Sequence, residues 1–192
     1  MDTIPDKQFT VIRWTKATFW GWLLGVVFIL MISSFLDSIG IEGMQFYLGV
    51  GMGAGVGFAQ WLSLKKYIQL NTNWIWFSIL GMGVPFIIID FIPNETIPHK
   101  LPFSIPLGAI TAGFLQYLLL KNHLQKANLW IIGSFIGWSL GVATVFIIDY
   151  TNHLKSIISL NLVIALVNLL LILAGGIILG VISGNTMKKI LG

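Results

Sequence analysis

Apolar residues in this chain come in long blocks rather than in alternation. Six runs, Phe19–Leu36, Met44–Leu64, Trp74–Ile92, Phe103–Leu120, Leu129–Ile148 and about Leu160–Val181, hold a single ionisable side chain, Asp90, near the end of the third. A helix rises about 1.5 Å per residue, so a run of about 20 covers a hydrocarbon core of about 30 Å. A charge at the centre of such a helix costs about 2.5–3.5 kcal/mol, which accounts for the near absence of charge inside the runs. The pattern predicts an all-α, polytopic membrane protein with six transmembrane helices over 19–192. Residues 1–18 precede them as a cytoplasmic segment. In it, Phe9, Ile12, Arg13, Trp14 and Lys16 form either a short helix lying on the membrane or a loop.

Composition agrees. The chain is 56% hydrophobic and 9% charged, against about 25% charged in soluble domains. With no cysteine, disulfides, thiolate chemistry and cysteine zinc sites are excluded. The net charge of +4 suggests nucleic acid until its distribution is drawn. Lys7, Arg13, Lys16, Lys65, Lys66, Lys121, Lys126, Lys188 and Lys189 fall on one side of an alternating chain, and only Lys100 and Lys155 on the other. Short loops rich in lysine and arginine stay cytoplasmic, so both termini are expected there, with the bilayer and not nucleic acid as the partner. Asp2, Pro5 and Asp6 argue against a signal peptide at the start. Seven tryptophans (Trp14, Trp20, Trp22, Trp61, Trp74, Trp76 and Trp130) gather at the expected cytoplasmic boundary, as an interfacial aromatic belt would, and Trp138 lies deeper.

The chain also resembles itself. At a spacing of fifty-six residues Gly57 meets Gly113, Phe58 Phe114, Gln60 Gln116, Trp61 Tyr117, Lys65 Lys121, Trp74 Trp130, Ser78 Ser134 and Gly81 Gly137. Gly25 falls on the same grid one period earlier, and with a longer loop Gly176, Gly180 and Lys188 match Ala109, Gly113 and Lys121, Ser183 standing in the glutamine position. Repeats change the reading of a fold. Here they predict three degenerate parallel two-helix units, about 19–66, 74–122 and 129–189, around a pseudo-threefold axis along the membrane normal.

Candidate chemistry is sparse. Asp37, Asp90 and Asp149 end the three outgoing helices; they are either an external acidic ring, of the kind that attracts cations at a pore mouth, or solvated loop charges. Gln60, Gln116 and Asn168 are candidates for an inner polar layer, serving either as interhelical glue or as a polar pocket wall. Gly53 and Gly57, Gly133 and Gly137, and Gly176 and Gly180 recur at four-residue spacing, which lets membrane helices approach closely; the faces serve packing within the chain or a second copy or membrane partner. Gly51 and Gly55 give the second helix another thin face. Pro85 is expected to kink the third helix. Pro98, Pro102 and Pro106 lead into the fourth. His99, His123 and His153 fall in loops on different sides, so no metal site follows, and no nucleophile, phosphate-loop or cofactor motif is present. No enzymatic activity and no cofactor is expected.

The phrase Gly57-Phe-Ala-Gln-Trp-Leu-Ser-Leu-Lys-Lys66, followed by Trp74 and a Gly-rich span, resembles uncharacterised bacterial multi-pass proteins with tandem Gln-Trp-Leu-x-Leu-basic helical hairpins. The resemblance covers most of 50–142 and implies a bacterial inner-membrane location, with no activity attached. Two functions fit: a small-solute or cation binding or transport component, marked by a central polar cavity, and a non-catalytic scaffold or assembly subunit, marked by a dry axis.

Overall fold

The computed structural model describes residues 8–93, 95–97, 99–154 and 161–192, and of 149–154 and 161 the backbone only. Lys7, Pro98, Lys155 and Ser159 lie outside the described residues. Six helices follow one another: α1 Val11–Ser38, α2 Phe46–Leu64, α3 Asn73–Asp90, α4 Leu101–Leu120, α5 Leu129–Leu154 and α6 Asn161–Leu191. Among the described residues there is no strand. Five of the helices, all but α2, are long and apolar enough to cross a membrane. The 19 residues of α2 include five glycines (49, 51, 53, 55 and 57), which dilute its hydropathy.

Two boundaries differ from the sequence expectation. α1 starts at Val11, not Phe19, and runs 28 residues without a break. The separate surface helix is therefore absent, and its residues form the first turns of α1. α5 continues past Ile148 to Leu154, which places Asp149 and His153 on the helix and not in a loop. Pro85 and Pro106 lie within α3 and α4, which continue through them, and Pro102 occupies the first turn of α4, where its missing N–H removes no helical bond.

Each helix packs on its chain neighbours, and α6 packs on α1, so the bundle is a closed ring in sequence order. Short connections make neighbours antiparallel; Gly21 faces Ala59 while Gly25 faces Met52. Glycines carry the seams. A Cβ on Gly53 would sit 2.5 Å from the Ser78 carbonyl oxygen of α3, and one on Gly55 would strike the Gly25 backbone of α1. The two glycine faces of α2 thus serve two different neighbours. Gly57 packs on Ser78, Gly133 on Thr186, Gly137 on Leu179, Gly176 on Trp22 and Gly180 on Thr15.

The core forms two zones along the ring axis. One, at the end holding the α1, α3 and α5 N-termini, contains Trp14, Trp74 and Trp130 with Leu64, Leu120 and Met187. The other, near mid-depth, contains Trp22, Trp138, Met52, Val56, Met82 and Leu179. Outside the ring large apolar side chains are exposed on all six helices, among them Leu30, Phe58, Leu80, Phe114, Leu140 and Leu170.

Candidate functional site

The ring interior is built from stripes at four-residue spacing. On α1 the stripe is Trp14, Thr18, Trp22, Val26; on α3 Trp74, Ser78, Met82, Phe86; on α5 Trp130, Ser134, Trp138, Val142. A period of four nearly matches the 3.6-residue turn, so each stripe stays on one helix face. The even helices run the opposite way and supply Leu64, Gln60, Val56 and Met52 from α2, Leu120, Gln116 and Ala112 from α4, and Met187, Ser183 and Leu179 from α6. The axis is therefore layered.

The first layer is a plug. Trp14 and Trp130 stack edge to face with centroids 5.9 Å apart, Trp74 and Trp130 are tilted at 5.6 Å, and Leu64, Leu120 and Met187 fill the gaps with no exposure. Aromatic pairs of this geometry add to their area burial. The belt expectation fails here: Trp20 and Trp76 are 66% and 60% exposed, but Trp14, Trp22, Trp74 and Trp130 turn inward. The grouping along the chain reflected a common depth. Rotation about the helix, invisible in a helix apolar all round, sends the rings to the axis.

The second layer is polar and directly above the plug. Trp130 Nε1 donates to Gln116 Oε1 at 2.7 Å, Gln116 Nε2 donates to Ser78 Oγ at 2.8 Å, and Ser78 Oγ donates to the Trp74 carbonyl at 2.7 Å. One amide thus joins α3, α4 and α5. Across the ring, Trp14 Nε1 donates to Ser183 Oγ at 2.9 Å, which closes α1 onto α6. Gln60 on α2 is also buried, and Thr18 Oγ1 on α1 and Trp74 Nε1 on α3 are buried without a partner. Asn168 is not in this layer. It lies fifteen residues before Ser183 on one continuous helix, about 22 Å further along the axis. Ser183 is the α6 member instead. Ser78 was missed as the partner of Gln116; its signal was the position four residues after Trp74, where Thr18 and Ser134 also stand after Trp14 and Trp130.

Above the third layer, Trp22, Met82 and Trp138, the ring is hollow. A cavity of about 320 Å³ rises from these residues between Val26, Met52, Phe86, Ile105 and Val142 to Ile29, Leu48, Leu101 and Ile148 at the far helix ends. All six helices line it, and among the described residues no lining residue is ionisable. Trp22 Nε1 is its one orphaned polar atom, buried without a partner. Pockets of roughly 300–1,000 Å³ with mainly apolar walls suit small molecules.

The acids lie elsewhere. Asp90 Oδ2 accepts from the backbone N–H groups of Gln45 and Phe46, both at 2.8 Å. It occupies the N-terminus of α2, where a carboxylate satisfies orphan donors and meets the positive end of the helix dipole. Lys100 Nζ donates to the Asp90 carbonyl at 2.9 Å. Asp37 is exposed at the end of α1. The side chain of Asp149 lies outside the described residues. Asp90 is thus engaged as a helix cap, and neither it nor Asp37 lines the cavity. No family model, curated protein or solved structure matches the chain.

Proposed function

We propose that the chain is a membrane protein that binds a small apolar molecule within its ring of helices. The observation that carries this reading is the cavity of about 320 Å³, walled by all six helices and, among the described residues, by no ionisable group. Of the two functions raised by the sequence, a solute-binding component fits better than a scaffold because the axis is hollow, but the cavity is apolar and not the polar one expected, so the solute is apolar. A cation would find no carboxylate among the described residues of the wall, and Asp90 already caps α2. The tryptophan plug closes the opposite end, so the fold binds from one side and does not conduct. The packing glycines Gly53, Gly57, Gly133, Gly137, Gly176 and Gly180 all meet the chain's own helices, which leaves those faces to no partner or second copy.

The finer architecture belongs to the same proposal. Six spans, α2 included, cross the bacterial inner membrane with both termini cytoplasmic, because α2 packs between α1 and α3 and its neighbours could not cross without it. Three hairpin repeats surround a pseudo-threefold axis, supported by the recurrence of tryptophan, then serine or threonine, at the same spacing on α1, α3 and α5. The plug is then the cytoplasmic end and the cavity opens outward.

The test uses Trp22 and Trp138, which line the cavity. Purified protein in nanodiscs is titrated with brominated alkyl and aromatic compounds while indole fluorescence is followed. Saturable quenching that disappears in Val142→Trp, a cavity-filling variant, is expected. Quenching that rises linearly with membrane partitioning in both proteins refutes the reading.

A further inference from the structure

A second concavity lies outside the ring, along the seam where α6 closes on α1. It measures about 410 Å³ and is walled by Ile12, Thr15, Lys16 and Phe19 of α1 and by Ile177 and Val181 of α6. The seam is shallow for a sequence reason. A Cβ on Gly176 or Gly180 would lie 2.9 Å from Trp22 or Thr15, so α6 presents small residues to α1, and Ile177 and Val181, which follow the two glycines, wall the groove outside them. The walls are apolar apart from Thr15 and Lys16, and Ile12, Ile177 and Val181 are exposed.

Among the described residues Lys16 is the one charged group in this wall. Arg13, one turn earlier, is exposed at the same end, as are Lys188 and Lys189 at the end of α6. Among the described residues every acid, Asp37, Glu42, Asp90, Glu95 and Asp149, lies toward or beyond the opposite helix ends. Among the described residues the lysine therefore stands beside an apolar groove with no acidic side chain at its end of the bundle. Lysine stems lie along apolar surface and carry the ammonium to the interface.

We infer that this seam holds one phospholipid with a net negative headgroup. Its acyl chain lies over Phe19, Ile177 and Val181, and its phosphate pairs with the Lys16 ammonium. The assignment rests on the membrane reading but not on the axial cavity. A basic residue at a membrane surface draws anionic lipid by about fivefold in affinity, and the groove adds a fixed place for the chain.

The experiment is native mass spectrometry of the full-length protein released from detergent with titrated anionic or zwitterionic phospholipid of matched chains. Wild type is expected to retain one anionic lipid about fivefold more tightly than the zwitterionic one. Lys16→Gln, which removes the charge, and Ile177→Trp, which fills the groove, should each abolish that preference. Lys126→Gln, a charge at the same end but off the seam, should keep it. Equal retention of both lipids, or loss of preference in Lys126→Gln equal to that in Lys16→Gln, overturns the site. Carbonate extraction of cell membranes separates the two readings. Protein that stays with the membrane but lacks the selective lipid sinks only the seam site, whereas protein released by carbonate sinks the membrane reading and the seam with it. Quenching by the cavity ligand should be unchanged in Ile177→Trp.

Discussion

Gln116 offers the sharpest energetic test of the layered axis. It is 4% exposed, accepts from Trp130 Nε1 at 2.7 Å and donates to Ser78 Oγ at 2.8 Å. Gln116→Leu keeps most of the volume and removes both bonds. Ser78 still donates to the Trp74 carbonyl, so its loss is partial. The Trp130 indole N–H, in contrast, is left buried with no acceptor. Interhelical hydrogen bonds in membranes average about 0.6 kcal/mol each, and an orphaned buried donor costs about 1–3 kcal/mol. Together these place the destabilisation at about 1–3 kcal/mol, or roughly one to two orders of magnitude in the unfolding constant. Combining Gln116→Leu with Trp130→Phe isolates the pair. Trp130→Phe has its own cost through lost packing on Trp14 and Trp74, but once the donor is gone Gln116→Leu should cost less, with a coupling of about 0.5–2 kcal/mol. Steric trapping in bicelles, which reads the folded population without dissolving the membrane mimic, measures all four corners. A coupling indistinguishable from zero would refute the claim that this amide holds α4 and α5 together.

Four further expectations come from the same geometry. Thr18 Oγ1 is buried without a partner, so Thr18→Val, near-isosteric, should stabilise by about 1 kcal/mol in the same assay; a loss instead would mean that Gln60 bonds the hydroxyl. Asp90→Ala removes the cap from α2 and should cost about 1 kcal/mol, Asp90→Asn less, and neither should alter quenching by the cavity ligand; a change in ligand affinity on Asp90→Asn would return the acid to the binding site. Gly55→Val drives side-chain atoms into the α1 backbone at Gly25 and should abolish folded, monodisperse protein in size-exclusion chromatography. Gly40→Ala meets nothing within 4 Å but forces a side chain into φ +74°, so it should fold with a loss of about 1 kcal/mol.

Position along the bundle axis is legible in the sequence. The apolar runs locate all six helices, although Arg13 and Lys16 break the first run, so the first turns of α1 read as either a surface helix or a loop. The charges and tryptophans marked one end of the bundle. Rotation about each helix axis was not legible. Trp74 faces the axis and Trp76, two residues on, is exposed; Gln60 is buried and Phe58 is not. In water a helix declares its inner face by polarity. Where lipid is as apolar as the core, that contrast vanishes, and an aromatic belt and an aromatic plug read alike. Asn168 was grouped with the glutamines by residue type, yet the continuous length of α6 carries it far from them.

What the residues determine alone is therefore one-dimensional: which segments are helical, how deep each side chain lies, where charge is refused, and which units recur. Packing of each helix on its neighbours, with α6 closing on α1, decided the rest. It turned three tryptophans into a plug, gave Gln116 two partners from different helices, engaged Asp90 at a helix end and left a hollow above Trp22 and Trp138. These features depend on the angle each helix presents to its neighbours, and that angle is set by close glycine contacts between segments far apart in the chain.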